Sequence, residues 1–154
     1  MLLSANKPSR QLSAEAGQLH FQKGLTLAAQ QRPSSERDVL ELSIRESFHA
    51  ARIGLRGWAT PEVGLNAAAI LELAKRQSKP QSVLLGLWGI WTNTLNQGRV
   101  AESLEQAKRM LADGKQIRDS DLLVLGHRAA MSSYFCLGHS ARRARAGGAG
   151  FDAV

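Results

Sequence analysis

The sequence predicts an all-α fold in which antiparallel helical hairpins stack as an α-solenoid. Apolar residues recur at intervals of three and four along most of the 154 residues, which places them on one face of a helix. No segment alternates apolar and polar residues as a half-buried strand does. Gly57, Gly98 and Gly138 follow one another at intervals of 41 and 40 residues, and a period near 40 is typical of helical repeats.

Six helices follow from this periodicity, each with its own apolar stripe. In chain order, the predicted stripes are Leu19, Leu25 and Ala28; Leu40, Ile44, Phe48, Ala51 and Leu55; Val63, Ala67, Ile70, Leu71 and Ala74; Leu84, Trp88, Trp91 and Leu95; Val100, Leu104, Ala107 and Leu111; and Leu122, Leu125, Ala129 and Phe135. Gly98 is expected to close the fourth helix and Gly138 the last one.

The segment "GLRGWATPEV" has the residues of a corner between two helices. Gly57 suits the left-handed conformation after a helix C-terminus. Thr60 is a favourable N-cap, Pro61 fits the first helical position, and Glu62 complements the helix dipole. The helix before this corner is expected to begin at an N-cap formed by Ser35, with Asp38 three residues later as in a capping box. Every polar residue of the corner therefore has a structural explanation, and no ligand is required.

The helical repeats are expected to span residues 13–138, between a flexible N-terminus (residues 1–12) and a disordered basic tail (residues 139–154) rich in Gly, Ala and Arg. The change of composition after Gly138 leaves two alternatives open: an ordinary tail, or a truncation that deprives the last helix of its partner. In the second case Leu125, Phe135 and Cys136 would be exposed. We would then expect self-association through this C-terminal edge.

The net charge of +7 raises the possibility of nucleic-acid binding, which we keep as the alternative function. Residues 13–138 hold 15 basic and 12 acidic side chains, so more than half of the excess lies in the two ends. A mildly basic body with basic ends is weak evidence for a nucleic-acid partner. The sequence has no run of 18 apolar residues, and its one cysteine excludes an intrachain disulfide. We therefore expect a cytoplasmic protein with no membrane segment.

The motifs of catalytic and cofactor sites are not found. Cys136 and His139 form a C-x-x-H pair with His127 nearby, but zinc needs more ligands than the sequence supplies there. No G-x-x-x-x-G-K-[ST] phosphate loop occurs, and "RAGGAG" is not flanked by a strand and a helix. We expect no catalytic residue, no metal site and no cofactor.

The repeat resembles the tetratricopeptide repeat. The segment "SVLLGLWGIWTNTLNQGRVAESLEQAKRMLADG" has a turn glycine, Gly98, followed by Ala107 and Leu111 in its second helix. It departs from the motif at Trp91, where a small residue is usual, and at Ser103, where alanine is usual. This resemblance implies a tetratricopeptide-like solenoid.

A narrower resemblance is carried by "HFQKGLTLAAQQRPSSERDVLELSI", "GLRGWATPEVGLNAAAILELAKR" and "LLGLWGIWTNTLNQGRVAESLEQAKRML". These segments are similar to the repeat region of bacterial signalling ATPases, in which an AAA-type domain, often with an adenylate or guanylate cyclase domain, precedes the repeats. The resemblance implies a fragment of that region and nothing catalytic.

The expected function is a non-catalytic scaffold that binds a protein or peptide partner. The candidate partner contacts are Trp88, Trp91, Lys75, Arg76, Lys108 and Arg109. For the two tryptophans the alternative is packing between repeats, which Gly86 and Gly89 beside them favour. For the basic residues, which recur in two "AKR" phrases, the alternative is a solvated face.

Overall fold

The computed structural model describes the backbone of residues 7–148 and the side chains of residues 16–138. All regular structure in this part is helical, which confirms the all-α prediction. The helices are α1 (Lys7–Gln30), α2 (Ser35–Arg56), α3 (Pro61–Arg76), α4 (Pro80–Asn96), α5 (Val100–Ile117) and α6 (Ser120–Gly148). Segments of two to four residues join them, and such short connections are typical of antiparallel neighbours. No described helix is long and apolar enough to cross a membrane.

The corner between α2 and α3 largely follows the sequence prediction. Gly57 has a φ of 83°, a conformation that favours glycine. Thr60 occupies the N-cap position of α3 and Pro61 its first position, but the threonine side chain makes no capping hydrogen bond. Its hydroxyl donates instead to the carbonyl oxygen of Gly57 at 3.2 Å. The threonine therefore stabilises the turn rather than the first amides of α3.

The predicted cap of α2 is wrong by one residue. Ser34, not Ser35, is the N-cap, and its hydroxyl oxygen accepts a hydrogen bond from the Arg37 amide at 3.1 Å. Ser35 is already helical, and its hydroxyl donates to Oε1 of Gln77 at 2.7 Å. Two adjacent serines before a helix both fit the capping rule, so the sequence alone does not distinguish them.

The prediction that the last helix ends at Gly138 is wrong. Gly57 and Gly98 have positive φ values and follow helix ends, whereas Gly138 lies inside α6. A glycine within a helix costs about 1 kcal/mol relative to alanine, and the alanines and arginines that follow favour the helix. Helix also covers residues 7–12 and 139–148; residues 1–6 and 149–154 lie outside the described residues.

The chain divides into two compact units, residues 1–89 and residues 90–154. In the first unit the predicted α3 stripe is confirmed, because all five of its members are buried. Ile70, Leu73 and Ala74 form a core cluster with Leu42 of α2, and Val83 packs against it.

Two glycines of α4 allow it to approach α3 closely. A Cβ added at Gly86 would lie 2.8 Å from the Leu71 Cβ, and one added at Gly89 would lie 2.7 Å from the Ala67 Cβ. Both distances are far below van der Waals contact, so the two helices meet where only glycine fits. Close approach at these positions was expected from the sequence and is confirmed.

The stripes predicted for α1 and α2 are only partly correct. Leu19 is 52% exposed, while Leu40 and Leu55 are 44% and 40% exposed. The buried residues of α2 are instead Leu42, Phe48 and His49. The face of α2 that meets α3 is shifted towards His49 because this ring hydrogen-bonds to Asn66 of α3.

An aromatic pair links α1 to α2. The rings of Phe21 and Phe48 stack with centroids 4.0 Å apart. The guanidinium of Arg52 lies over both rings, 5.3 Å and 5.6 Å from their centroids, which is a favourable cation–π distance. Arg52 also donates to the Glu62 carbonyl at 3.2 Å, so one arginine connects this pair to α3.

The second unit is built on the hairpin of α5 and α6. Gly114 faces Leu123, and Gly126 faces Leu111, with added Cβ atoms falling about 3 Å from the leucine side chains. The α5 residues Leu104, Ala107 and Met110 and the α6 residues Leu122, Ala129 and Ala130 are buried.

Candidate interaction site

Helix α6 is apolar on two opposite faces. Its buried face carries Leu122, Ala129 and Ser133. Its other face carries four large apolar residues that are more than half exposed: Val124 (68%), Met131 (69%), Tyr134 (58%) and Phe135 (66%). We call these four residues the α6 stripe. A helix that is apolar on both sides is typical of one buried on both sides, so the stripe has the composition of a contact surface.

Helix geometry explains why these four residues share a face. Val124, Met131 and Phe135 are separated by seven and four residues, which is about two turns and one turn of an α-helix. Tyr134 lies beside them, one residue before Phe135. Arg128 completes the row at the missing turn between Val124 and Met131 and is exposed. The stripe is therefore an apolar row about 16 Å long, at 1.5 Å per residue, with an arginine at its middle.

Lysine from α5 borders the stripe. Nζ of Lys108 donates a hydrogen bond to Oε1 of Glu105 at 2.7 Å. This hydrogen bond and the charge of Glu105 raise the pKa of Lys108, and its interaction with Tyr134 contributes less. Lys108 is thus paired with Glu105, and it is this ion pair, not a lone positive charge, that lies near Tyr134. Arg109, the next residue, is also exposed.

The charge of α6 is strongly one-sided. Its sequence has a single acidic residue, Asp121 in the first turn, and four arginines. From Leu122 to Phe151 the sequence contains no acidic residue at all. Three of those arginines, Arg142, Arg143 and Arg145, lie beyond the described side chains, so this excess is a property of the sequence and not of the α6 stripe.

The two candidate tryptophans belong to the same helix but differ in exposure. Trp91 is 3% exposed, and its indole N–H donates to Oγ of Ser133 at 3.2 Å. Ser133 in turn lies 2.9 Å from Oγ of Ser103, which donates to the carbonyl of Val100. This network supports the packing interpretation of Trp91, while Trp88 is half-buried.

The candidate basic residues of α3 occupy the last turn of that helix. Arg76 forms an ion pair with Asp38 at 3.3 Å, and Nζ of Lys75 lies 4.0 Å from Oε1 of Glu72. Lys75 also lines an open cleft of about 330 Å³ at the turn into α4, together with Lys79 and Val83. Both candidates are exposed, but carboxylates of their own unit compensate them. Lys75 and Arg76 belong to the first unit, Lys108 and Arg109 to the second.

A buried polar cluster in the first unit has a structural explanation. Nδ2 of Asn66 donates to the Arg45 carbonyl at 3.1 Å and lies 3.4 Å from Nδ1 of His49. Since an amide nitrogen only donates, Nδ1 of His49 accepts, which requires a neutral ring. Burial lowers the pKa of His49, and the charge of Arg52 lowers it further. Among the described residues no group of three or more His, Cys, Asp and Glu side chains is placed to hold a metal ion.

No family model, curated protein or solved structure matches this chain. The resemblances to tetratricopeptide repeats and to signalling ATPases therefore remain predictions.

The sequence prediction partly anticipated the α6 stripe. Only the alternative of an unpartnered last helix placed Leu125, Phe135 and Cys136 at an exposed edge; Phe135 is exposed, whereas Leu125 and Cys136 are half-buried. The assignment of Phe135 to the buried apolar stripe of this helix is therefore wrong. The sequence prediction did not include Val124 and Met131, because it assigned a single apolar stripe to each helix. A second row of apolar residues spaced by seven and four was the signal that identifies them.

Proposed function

We propose that this chain is a non-catalytic protein-interaction module whose helices stack in tetratricopeptide-like hairpins and whose α6 stripe binds a protein partner in the cytoplasm. The α6 stripe is the observation that carries the proposal. Large contiguous apolar surfaces are rare on monomers and mark contact sites. Aromatic residues and methionine, of which the stripe has three, are enriched at such sites.

The proposed origin of the module is the repeat region of a bacterial signalling ATPase or cyclase. Consecutive helices joined by short turns, with glycines of positive φ at two of the helix ends, support a repeat built from hairpins. In such arrays each hairpin buries its outer face against the next one. The α6 stripe has the composition of such an outer face, which another protein surface would cover.

Site-specific photo-crosslinking in the native host tests the proposal. A photoreactive amino acid is introduced at Met131 and, as a matched control, at Leu65 of α3, which is 70% exposed. We expect a discrete protein adduct from position 131 that is absent from position 65. If neither position gives a protein adduct, or both give the same adducts, the proposed function is wrong.

Nucleic-acid binding is the alternative that the net charge of +7 favours. It predicts adducts that nuclease removes, and an affinity for DNA or RNA that falls steeply as salt rises. An apolar row is not needed to bind phosphates, so this function would leave the α6 stripe without an explanation. Absence of binding to DNA and RNA at low salt would exclude it.

A further inference from the structure

We infer that His49 is a proton-sensitive contact that holds the first half of α4, residues 80–89, against α3, and that protonation of its ring releases this half of the helix. The device lies within the first unit and does not depend on the α6 stripe. Two observations carry it: the hydrogen bonds that fix the amide of Asn66, and the burial of the ring against Gly89 of α4.

The amide of Asn66 has one orientation that its neighbours allow. Its Oδ1 accepts a hydrogen bond from Nη1 of Arg45 at 3.3 Å, and its Nδ2 donates to the Arg45 carbonyl oxygen at 3.1 Å. A guanidinium only donates and a carbonyl only accepts, so turning the amide over would break both hydrogen bonds. Nδ2 of Asn66 therefore faces the His49 ring as a donor, 3.4 Å from Nδ1.

A proton on Nδ1 of His49 would place two donors opposite each other. Both nitrogens of a charged imidazole carry a hydrogen, whereas Asn66 presents only N–H groups on this side. A buried charge without an acceptor is unfavourable, and His49 is 4% exposed. In the closed structure the ring therefore stays neutral, in agreement with a pKa that burial lowers.

The charges around His49 also disfavour its protonated form. On its own helix, burial lowers the pKa of His49 and the positive charge of Arg52 lowers it further, while Arg45 is paired with Glu41 at 2.7 Å. On α3, the carboxylate of Glu62 interacts with Arg52. Helix α4 has no ionisable side chain. Both carboxylates are thus engaged with arginines, so neither offers a protonated His49 ring its own ion pair.

The backbone of α4 covers the other nitrogen of the ring. A Cβ added at Gly89 would lie 2.9 Å from Nε2 of His49 and 2.7 Å from the Ala67 Cβ, so water reaches Nε2 only when this part of α4 moves away. Gly86, one turn earlier, meets Leu71 of α3 equally closely, at 2.8 Å from an added Cβ. Hydration of a charged ring therefore opens both glycine contacts with α3, a local opening rather than global unfolding.

Hydrogen–deuterium exchange of the full chain, measured by mass spectrometry at pH 7.5 and pH 5, tests the inference. After correction for the intrinsic exchange rate, the protection of residues 80–89 should fall at pH 5 by at least about fivefold, the effect of losing one buried hydrogen bond. The hairpin of α5 and α6 should keep its protection, because the opening is local. Unchanged protection of residues 80–89, or an equal loss in all helices, would overturn the inference.

Two histidine variants assign the response to one ring. His49→Gln removes the titratable group and should abolish the acid-induced loss of protection in residues 80–89. His20→Gln, at an exposed histidine of α1, is the matched control and should keep the loss. Each variant is compared with itself at the two pH values, so a general change of stability does not affect the comparison. A full acid response in His49→Gln would show that another group opens α4.

Asn66→Asp separates the donor contact from burial alone. A carboxylate at position 66 would accept a hydrogen bond from a protonated His49 ring, and its charge would favour that form. The loss of protection at pH 5 should therefore disappear or reverse in this variant, while circular dichroism verifies the helical fold. An acid response as large as that of the wild type would show that the Asn66 amide does not set the proton sensitivity, and would overturn the inference.

Discussion

At the residue scale, the first unit depends on a small number of positions where only one side chain fits. His49 is 4% exposed, and its ring lies between Asn66 and the backbone of Gly89. A Cβ at Gly89 would fall 2.9 Å from Nε2 of His49 and 2.7 Å from the Ala67 Cβ. Sequence patterns place these residues on helices, but they do not reveal that the His49 ring fills the space that a side chain at position 89 would occupy.

Gly89→Ala should lower the free energy of unfolding by about 1–3 kcal/mol, the usual cost of overpacking a core. Urea unfolding monitored by circular dichroism measures the change. Gly54→Ala is the matched control, because no atom lies within 4 Å of the added Cβ in α2. That variant should be as stable as the wild type or up to about 1 kcal/mol more stable. Equal destabilisation by the two changes would contradict the predicted clash.

The lowered pKa of His49 predicts a dependence of stability on pH. Its folded-state pKa lies below the ordinary value of 6.5 because the ring is buried. Between the two values the unfolded chain binds a proton that the folded chain does not, so stability falls as pH decreases below about 6.5. The contribution of His49 is fully present above that pH.

Urea unfolding from pH 7.5 to pH 5 measures this loss. His49→Gln should reduce the loss of stability over this range, whereas His20→Gln, at an exposed histidine of α1, should keep the wild-type slope. An unchanged slope in His49→Gln would show that other groups cause the pH dependence.

At the scale of the element, the hydroxyl network fixes how α6 packs in the second unit. Ser103 donates its hydroxyl hydrogen to the Val100 carbonyl, so Ser133 donates to Ser103 and accepts from the indole of Trp91. The direction of each hydrogen bond is thus defined, and Ser133 of α6 connects Trp91 of α4 to Ser103 of α5.

Ser133→Ala should lower the free energy of unfolding by about 1–3 kcal/mol, because it removes the acceptor of a buried indole N–H. Ser132→Ala, at the half-buried neighbouring serine, should change stability by less than about 0.5 kcal/mol. Thermal or urea unfolding of the two variants compares them. If both variants lose the same stability, the network does not determine the packing of α6.

Element type and most helix bounds were predictable from the sequence, because apolar periodicity and the residues of the turns agree. The α3 stripe was predictable since all five apolar residues lie on one face and are buried. The buried face of α2 was not predictable, because the contacts of Phe48 and His49 with other helices decide which side of α2 is buried. Leu40 and Leu55 fit the apolar periodicity but are exposed. The continuation of α6 beyond Gly138 was not predicted. A glycine favours a helix end only when the residues after it also disfavour a helix, and the alanines and arginines after Gly138 favour one.

At the scale of the whole molecule, the α6 stripe contributes little to the stability of the isolated chain. Its four residues are more than half exposed, so little of their surface leaves water on folding. The exposure of Lys108 and Arg109 was predictable from the sequence, because charged residues of a helix ordinarily face water. The exposure of Val124 and Met131 was not, since apolar residues in a helix are ordinarily assigned to the core.

The double variant Val124→Gln, Met131→Gln should change the free energy of unfolding by less than about 1 kcal/mol, at about 0.5 kcal/mol or less for each exposed position. It should also bind less of a dye that reports exposed apolar surface. Leu104→Ala provides the contrast, because Leu104 is 7% exposed and truncating a buried leucine costs about 2–5 kcal/mol. A loss of that size in the double variant would place the stripe in the core.

The exposure of the α6 stripe has a consequence for natural selection on this sequence. Folding alone would allow polar residues to accumulate at Val124, Met131 and Phe135, since proteins tolerate most surface substitutions. A saturation library scored for folded protein should therefore accept glutamine, serine or lysine at these positions, whereas the same library scored for fitness of the host should reject them. Positions tolerant in the first selection and restricted in the second would outline the surface that the partner covers.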